Sequence, residues 1–104
     1  MSKKIKVATV GELKPGQYKS IEIEDERIAL FNVDGKFYAL KDVCTHDGGL
    51  LTGGTLKGYI IECPRHGAQF DVRTGAVVRM PAYVGVETYP VSVEGNDVFI
   101  TLED

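Results

Sequence analysis

Four residues of soft-ligand type lie within one stretch, VCTHDGGLLTGGTLKGYIIECPRHGAQFD, running from Val43 to Asp71. Cys44 and Cys63 are the only cysteines in the 104 residues, and His46 and His66 are the only histidines. They form two pairs, Cys44-x-His46 and Cys63-x-x-His66, with sixteen residues between His46 and Cys63. Thiolate and imidazole are the side chains that bind borderline and soft metals. Sixteen residues suffice for an out-and-back hairpin that turns the two pairs to face each other. LLTGGTLKGYIIE reads as that hairpin and puts each pair at a loop tip. Glycine is concentrated here too, at Gly48, Gly49, Gly53, Gly54, Gly58 and Gly67. Glycine permits left-handed backbone and close approach, so loops folded tightly around something small are expected.

Three kinds of site fit these residues. One is a buried thiol pair beside two incidental histidines. A second is a tetrahedral zinc site of two cysteines and two histidines, a structural module. The third is an iron–sulfur cluster with the cysteines on one iron and the histidines on the other. The Cys-x-His half is unlike common zinc-finger spacing, and no helix is expected to carry the histidines.

The elements that must position these residues read as short strands with turn punctuation. KIKVATV and YKSIEIE alternate polar and apolar residues. RIALFNV and KFYAL flank Asp34-Gly35, a two-residue hairpin signal. AQFDV and AVV flank Arg73-Thr74-Gly75. VETYPVSVE and DVFITLE flank Gly95-Asn96, another hairpin. The acidic run Glu22–Glu26 reads as a solvated strand end and turn. VGELKPG is the one candidate for a helical turn, stopped by Pro15-Gly16. Phe31, Phe37, Tyr59 and Phe99 fall at alternating positions and are expected in the core, and Met80 is either core filler or a neighbour of the loops. The pattern predicts an all-β domain of sandwich or barrel type.

Composition narrows the function. A chain of 104 residues suits a single domain. A net charge of −3 argues against nucleic acid and anionic membranes as partners. The start MSKKIKV has no signal-peptide pattern, and no apolar run approaches the ~20 residues that span a bilayer. A cytoplasmic location is expected, where a Cys44–Cys63 disulfide is disfavoured. No dinucleotide-binding fingerprint opens a helix, and no Ser/His/Asp arrangement is available.

Cys44-Thr45-His46 and Cys63-Pro64-Arg65-His66-Gly67 resemble the two signature boxes of Rieske [2Fe–2S] proteins. AQFDVRTGAVV is similar to the strand and turn after the second box, and MPAYVGVETYPV to the proline-containing third loop and returning strand. The resemblance covers most of the chain from RIALFNVDGKFYAL onward. It is strongest to the small soluble ferredoxins of bacterial ring-hydroxylating dioxygenase systems. It implies a Rieske fold, an antiparallel β-sandwich or barrel base with a small cluster-binding subdomain at about 42–82, within a single domain over 1–104. It also implies one [2Fe–2S] cluster, with Cys44 and Cys63 on one iron and His46 and His66 on the other. Thiolates are anionic and imidazoles neutral, so such a cluster accepts an electron more easily than an all-cysteine one. The implied role is a monomeric one-electron carrier, not an enzyme, between an NAD(P)H-dependent flavin reductase and a terminal oxygenase. An alternative is a small subunit of assimilatory nitrite reductase.

The resemblance also locates departures. High-potential respiratory Rieske proteins join their two loops by a disulfide, at positions that are Gly49 and Arg65 here. They place serine and tyrosine hydroxyls near the cluster sulfurs, where this chain has Ala68 and Phe70. Hydroxyl donors stabilise the reduced cluster, so their absence implies the lower half of the Rieske range, roughly −150 mV to 0. Pro81 is expected to shield the cluster. Gly85 stands where the ferredoxins would carry a proline.

Overall fold

A computed structural model describes residues 2–44, 49–64, 67–80 and 84–103. The strands are β1 (Ser2–Thr9), β2 (Tyr18–Ile23), β3 (Glu26–Val33), β4 (Lys36–Lys41), β5 (Thr55–Lys57), β6 (Ile60–Glu62), β7 (Gln69–Asp71), β8 (Val77–Arg79), β9 (Thr88–Tyr89), β10 (Val91–Glu94) and β11 (Asp97–Glu103), with no helix among the described residues. They form three antiparallel sheets, ordered β1-β11-β10, β2-β3-β4-β9 and β5-β6-β7-β8. The expected all-β class is what is found.

The hairpins fall where the turn residues place them. Val33 pairs with Lys36 across Asp34-Gly35, and both turn residues have φ near the left-handed region, 51° and 89°. Glu94 pairs with Asp97 across Gly95-Asn96. Ile23 pairs with Glu26 across Glu24-Asp25, which adopt φ of 50° and 69°. Two-residue hairpins need this twist, and here two acidic residues supply it on an exposed strand end.

The second sheet is the middle layer of the molecule. Along β3 the side chains alternate between two cores, Ala29, Phe31 and Val33 on one side, Ile28 and Leu30 on the other. Leu40 of β4 joins the first core, while Phe37 and Ala39 join the second. A strand covered on both faces reads as a continuous apolar run rather than an alternating one, which is why IALF is uninterrupted. The second core is closed by β1 and β11 through Ala8, Val98, Ile100 and Leu102. The first is closed by the sheet of β5 to β8 through Ile61, Phe70 and Val72, and it contains both cysteines.

Two expectations change. VGELKPG forms turns and no helix. The Glu12 amide donates to the Thr9 carbonyl at 3.1 Å, and Gln17 to Lys14 at 2.9 Å. Groups that would extend a helix are engaged by β3, since the Gly16 amide donates to the Asn32 carbonyl at 2.8 Å and the Asn32 carboxamide donates to the Leu13 carbonyl at 2.7 Å. Phe31 and Phe37 are buried and Tyr59 packs against the first core, but Phe99 is only half-buried. The alternation of β11 turns Val98, Ile100 and Leu102 inward and Phe99 outward, where the Lys4 ammonium lies 5.3 Å from its ring centre.

Candidate metal centre

Each cysteine stands at a loop neck closed by the same kind of backbone hydrogen bond. Cys44 lies beyond the end of β4, and its amide donates to the Gly49 carbonyl at 2.7 Å. Cys63 follows β6, and its amide donates to the Ala68 carbonyl, also at 2.7 Å. Both loops are thus pinched shut between a cysteine and the residue five positions later. The second loop is the tip of the β6–β7 hairpin, whose last pair is Glu62 with Gln69. Gly67, at φ 77°, supplies the left-handed residue that returns the chain. The two boxes differ in sequence spacing, yet their loop necks are equivalent.

The two cysteine side chains share one apolar core. Cys44 is 0% and Cys63 1% exposed, and both belong to the apolar core that also holds Leu51, Ile61, Ala68 and Phe70. Neither is in a disulfide. Two thiols outside any disulfide, held in one dry core and each at the neck of a loop, fit the thiolate end of an iron–sulfur cluster shielded from water. His46, His66, Arg65 and Pro81 lie outside the described residues.

A carboxylate not singled out by its sequence anchors the first loop. Asp42 is only 2% exposed. Its Oδ1 accepts the Leu51 amide at 2.8 Å and the Thr52 amide at 2.9 Å. Its Oδ2 accepts the Thr52 hydroxyl and the Ser20 hydroxyl, each at 2.7 Å. Tyr18 lies two residues before Ser20 on β2 and therefore on the same face. The Tyr18 hydroxyl donates to the Gly54 carbonyl at 2.6 Å and accepts the Gly53 amide at 2.9 Å. One strand of the base thus grips the far limb of the first loop at two points. The alternation of β2 was legible; that its inner face would be polar and bind a loop was not.

Glycines mark the closest approaches. A methyl on Gly54 would lie 1.9 Å from the Glu62 carbonyl oxygen, so glycine lets the first loop touch the strand that leads into Cys63. Gly75 has φ 77° and the same clearance of 1.9 Å, from the Val86 oxygen, while Gly85 has 2.7 Å from the Gly75 oxygen. Gly75 and Gly85 let the segment after the third loop pack on the β7–β8 turn, and the Val86 amide donates to the Gly75 carbonyl at 2.8 Å. This close contact accounts for glycine at position 85.

Ala68 and Phe70, the positions that lack hydroxyls, are both fully buried beside the cysteines. Met80 is 67% exposed and so is not core filler. Gln69 pairs with Arg79, which puts Met80 at the same end as the second loop. Leu50, immediately after the first loop, and Val84, after the third, are also exposed. Three apolar side chains thus stand in solvent beside the loops.

At the other end of the β6–β7 hairpin, Arg73 forms a fork on Asp71, with nitrogen–oxygen distances of 2.8 and 3.1 Å. Its guanidinium also stacks 4.1 Å from the centre of the Tyr59 ring. The hydrogen bonds from Arg73 hold the Asp71 carboxyl below its ordinary range, against an opposing effect of burial. In the base, burial and then the Glu26 carboxylate push the Tyr89 hydroxyl up to about 12.

Comparison with known proteins follows the same outline. The Rieske [2Fe–2S] domain family matches residues 3–90. The biphenyl dioxygenase ferredoxin subunit of Pseudomonas sp. (strain KKS102) is 40% identical over 96 residues, covering 91% of this chain and 88% of that protein. The Sphingomonas yanoikuyae B1 ferredoxin superposes with a TM-score of 0.91 at 36% identity, over 97% of this chain and 100% of that one. A ferredoxin-like match in the complex of reduced oxygenase and oxidized ferredoxin in carbazole 1,9a-dioxygenase gives a TM-score of 0.89 at 34% identity, over 93% and 91% of the two chains. A chain that the family model matches over residues 3–90, and whose sequence and fold agree with these proteins over nearly its whole length, belongs to the Rieske [2Fe–2S] family.

Proposed function

We propose that this protein is the ferredoxin of a ring-hydroxylating dioxygenase system. It carries single electrons from an NAD(P)H-dependent flavin reductase to a terminal oxygenase. It is a carrier and not itself the oxygenase. Cys44 and Cys63 would hold one iron of the [2Fe–2S] cluster, and His46 and His66 the other. When bound, the cluster supplies a reversible one-electron couple. The chain contributes dry burial of the thiols, two tight loops and a fixed base. We take it to act as a monomeric cytoplasmic domain whose cluster-binding part runs from about 42 to 82. Leu50, Met80 and Val84 form the apolar fringe that meets the oxygenase.

The observation that carries this reading is the burial in one apolar core of two cysteines, neither in a disulfide, each at a loop neck closed by the same backbone hydrogen bond. Relatives named as dioxygenase ferredoxins, matched over 88% to 92% of their own length, point the same way. The test begins with the purified protein. It should be reddish-brown, hold two irons per chain and give a reduced-state paramagnetic resonance signal of low average g value. Cys44→Ser, His46→Ala and His66→Ala should each lose that spectrum, while Lys3→Ala keeps it. A colourless protein with one zinc, or a native spectrum in any ligand variant, refutes the assignment. The carrier role is then tested by adding the loaded protein to a reductase and oxygenase of this class and measuring ferredoxin-dependent product formation.

A further inference from the structure

We infer that Asp42 is a positioning residue for the cluster and that its buried charge holds the reduction potential down. The inference rests on the assignment of Cys44 as a ligand. Among the described residues Asp42 is the sole buried acidic one, and its carboxylate collects four hydrogen bonds. Those bonds tie the loop's two limbs together, Asp42 before Cys44 and Leu51–Thr52 after it, and fasten both to Ser20 of the base strand β2. No ion pair involving Asp42 is found among the described residues. The bonding neighbours are amides and hydroxyls, which orient toward the negative charge without cancelling it.

Asp42 is two residues from Cys44. Two peptide units and two short side chains reach no further than about 14 Å. Even at that greatest range, in an effective dielectric near 20, a unit charge disfavours an added electron by at least about five- to tenfold in equilibrium constant. For one electron this is roughly 40–60 mV. The same carboxylate therefore does two things: it sets the loop's shape and it opposes reduction.

The two roles separate by substitution. In Asp42→Asn the carbonyl oxygen still accepts both amides, and the Ser20 and Thr52 hydroxyls rotate to accept from the new amide group. The visible circular dichroism of the loaded protein should be unchanged, and its midpoint potential should rise by the shift given above. Ser20→Ala keeps the charge and removes one compensating O–H dipole, so its midpoint should stay or fall. Asp42→Ala, which orphans the loop amides, should lose cluster content that Asn retains. An Asn variant with native spectrum and unmoved midpoint overturns the inference. So does a rise in Ser20→Ala, which decides the matter even where the Asn variant fails to load. Wild-type protein without a [2Fe–2S] spectrum would instead refute the functional reading.

Discussion

Gly54 sits where the two cysteine loops lean on each other, and Gly54→Ala probes that contact directly. Its φ is not in the left-handed region, so alanine meets no conformational objection. The objection is steric. The new methyl would lie 1.9 Å from the Glu62 oxygen and 3.1 Å from the Leu51 oxygen, both backbone atoms. To reach even 3.0 Å from Glu62 the two segments must part by about 1.1 Å. Glu62 immediately precedes Cys63, so the displacement is delivered to the second loop. Overpacking of this kind costs ~1–3 kcal/mol, and loss of the Tyr18 hydrogen bond to the moved Gly54 carbonyl adds about 1 kcal/mol. A total of about 2–4 kcal/mol follows, of which even half in the opening rate is a ~5- to 30-fold acceleration. The assay is bleaching of the visible absorption in guanidinium, with Gly53→Ala as the comparison. Gly53 has φ 100° with nothing within 4 Å of an added methyl, so it should show only the backbone cost of about 1–3 kcal/mol, with the cluster spectrum unshifted. A Gly54→Ala protein with unshifted spectrum and wild-type bleaching rate would refute the claim that this contact sets the loop spacing.

Three further outcomes are expected. Ala68→Ser with Phe70→Tyr should raise the midpoint potential by about 60 mV or more, since a hydroxyl favouring the reduced state by ~1.4 kcal/mol shifts a one-electron couple by that amount; an unchanged spectroelectrochemical titration would contradict it. Asp71 has a depressed folded pKa, so its contribution to stability is present above its ordinary value of 3.8 and is lost as pH falls through the lower folded value. Asp71→Asn should therefore flatten the loss of stability below about pH 4 in acid denaturation curves. Tyr89 has its pKa raised to about 12, so its contribution is present below its ordinary value of 10.0 and is lost between there and 12. Ultraviolet titration should show a late tyrosinate transition that disappears in Tyr89→Phe.

The strands were legible because turn chemistry and two-residue periodicity act locally. Asp34-Gly35 and Gly95-Asn96 ended strands where expected, and even Glu24-Asp25, with no glycine, turned where the acidic run was read as solvated. The cysteines were legible as a pair because so few residue types bind soft metals. What the sequence did not disclose is contact between distant segments. Nothing in KDVC marks Asp42 as buried, because the four groups that surround it come from residues 20, 51 and 52. The glycines were expected to crowd a small group, yet Gly54 crowds the Glu62 carbonyl. Phe99 faces outward against expectation because alternation gives the period of β11 and not which phase faces the core. Sequence alone allows Met80 either role, and its exposure follows from its place beyond the last pair of β8.

The strand order carries a consequence for how the protein is made. β11 is the middle strand of its sheet, and its partner β1 pairs with it from Ser2 against Glu103 to Thr9 against Asp97. Synthesis proceeds from the amino end, so β1 leaves the ribosome first and cannot enter its sheet until β11 has been made. By then the hairpins β2–β3–β4 and β5 to β8, whose pairings are local, have already emerged with both cysteine loops and the Ser20 anchor. Throughout that wait β1 is an open edge, and Lys3, Lys4 and Lys6 are spaced along it. Charged lysines on an unpaired edge discourage pairing with other nascent chains. Both cysteine loops thus emerge before β11, the strand that joins β1 and β10 into the sheet closing the second core.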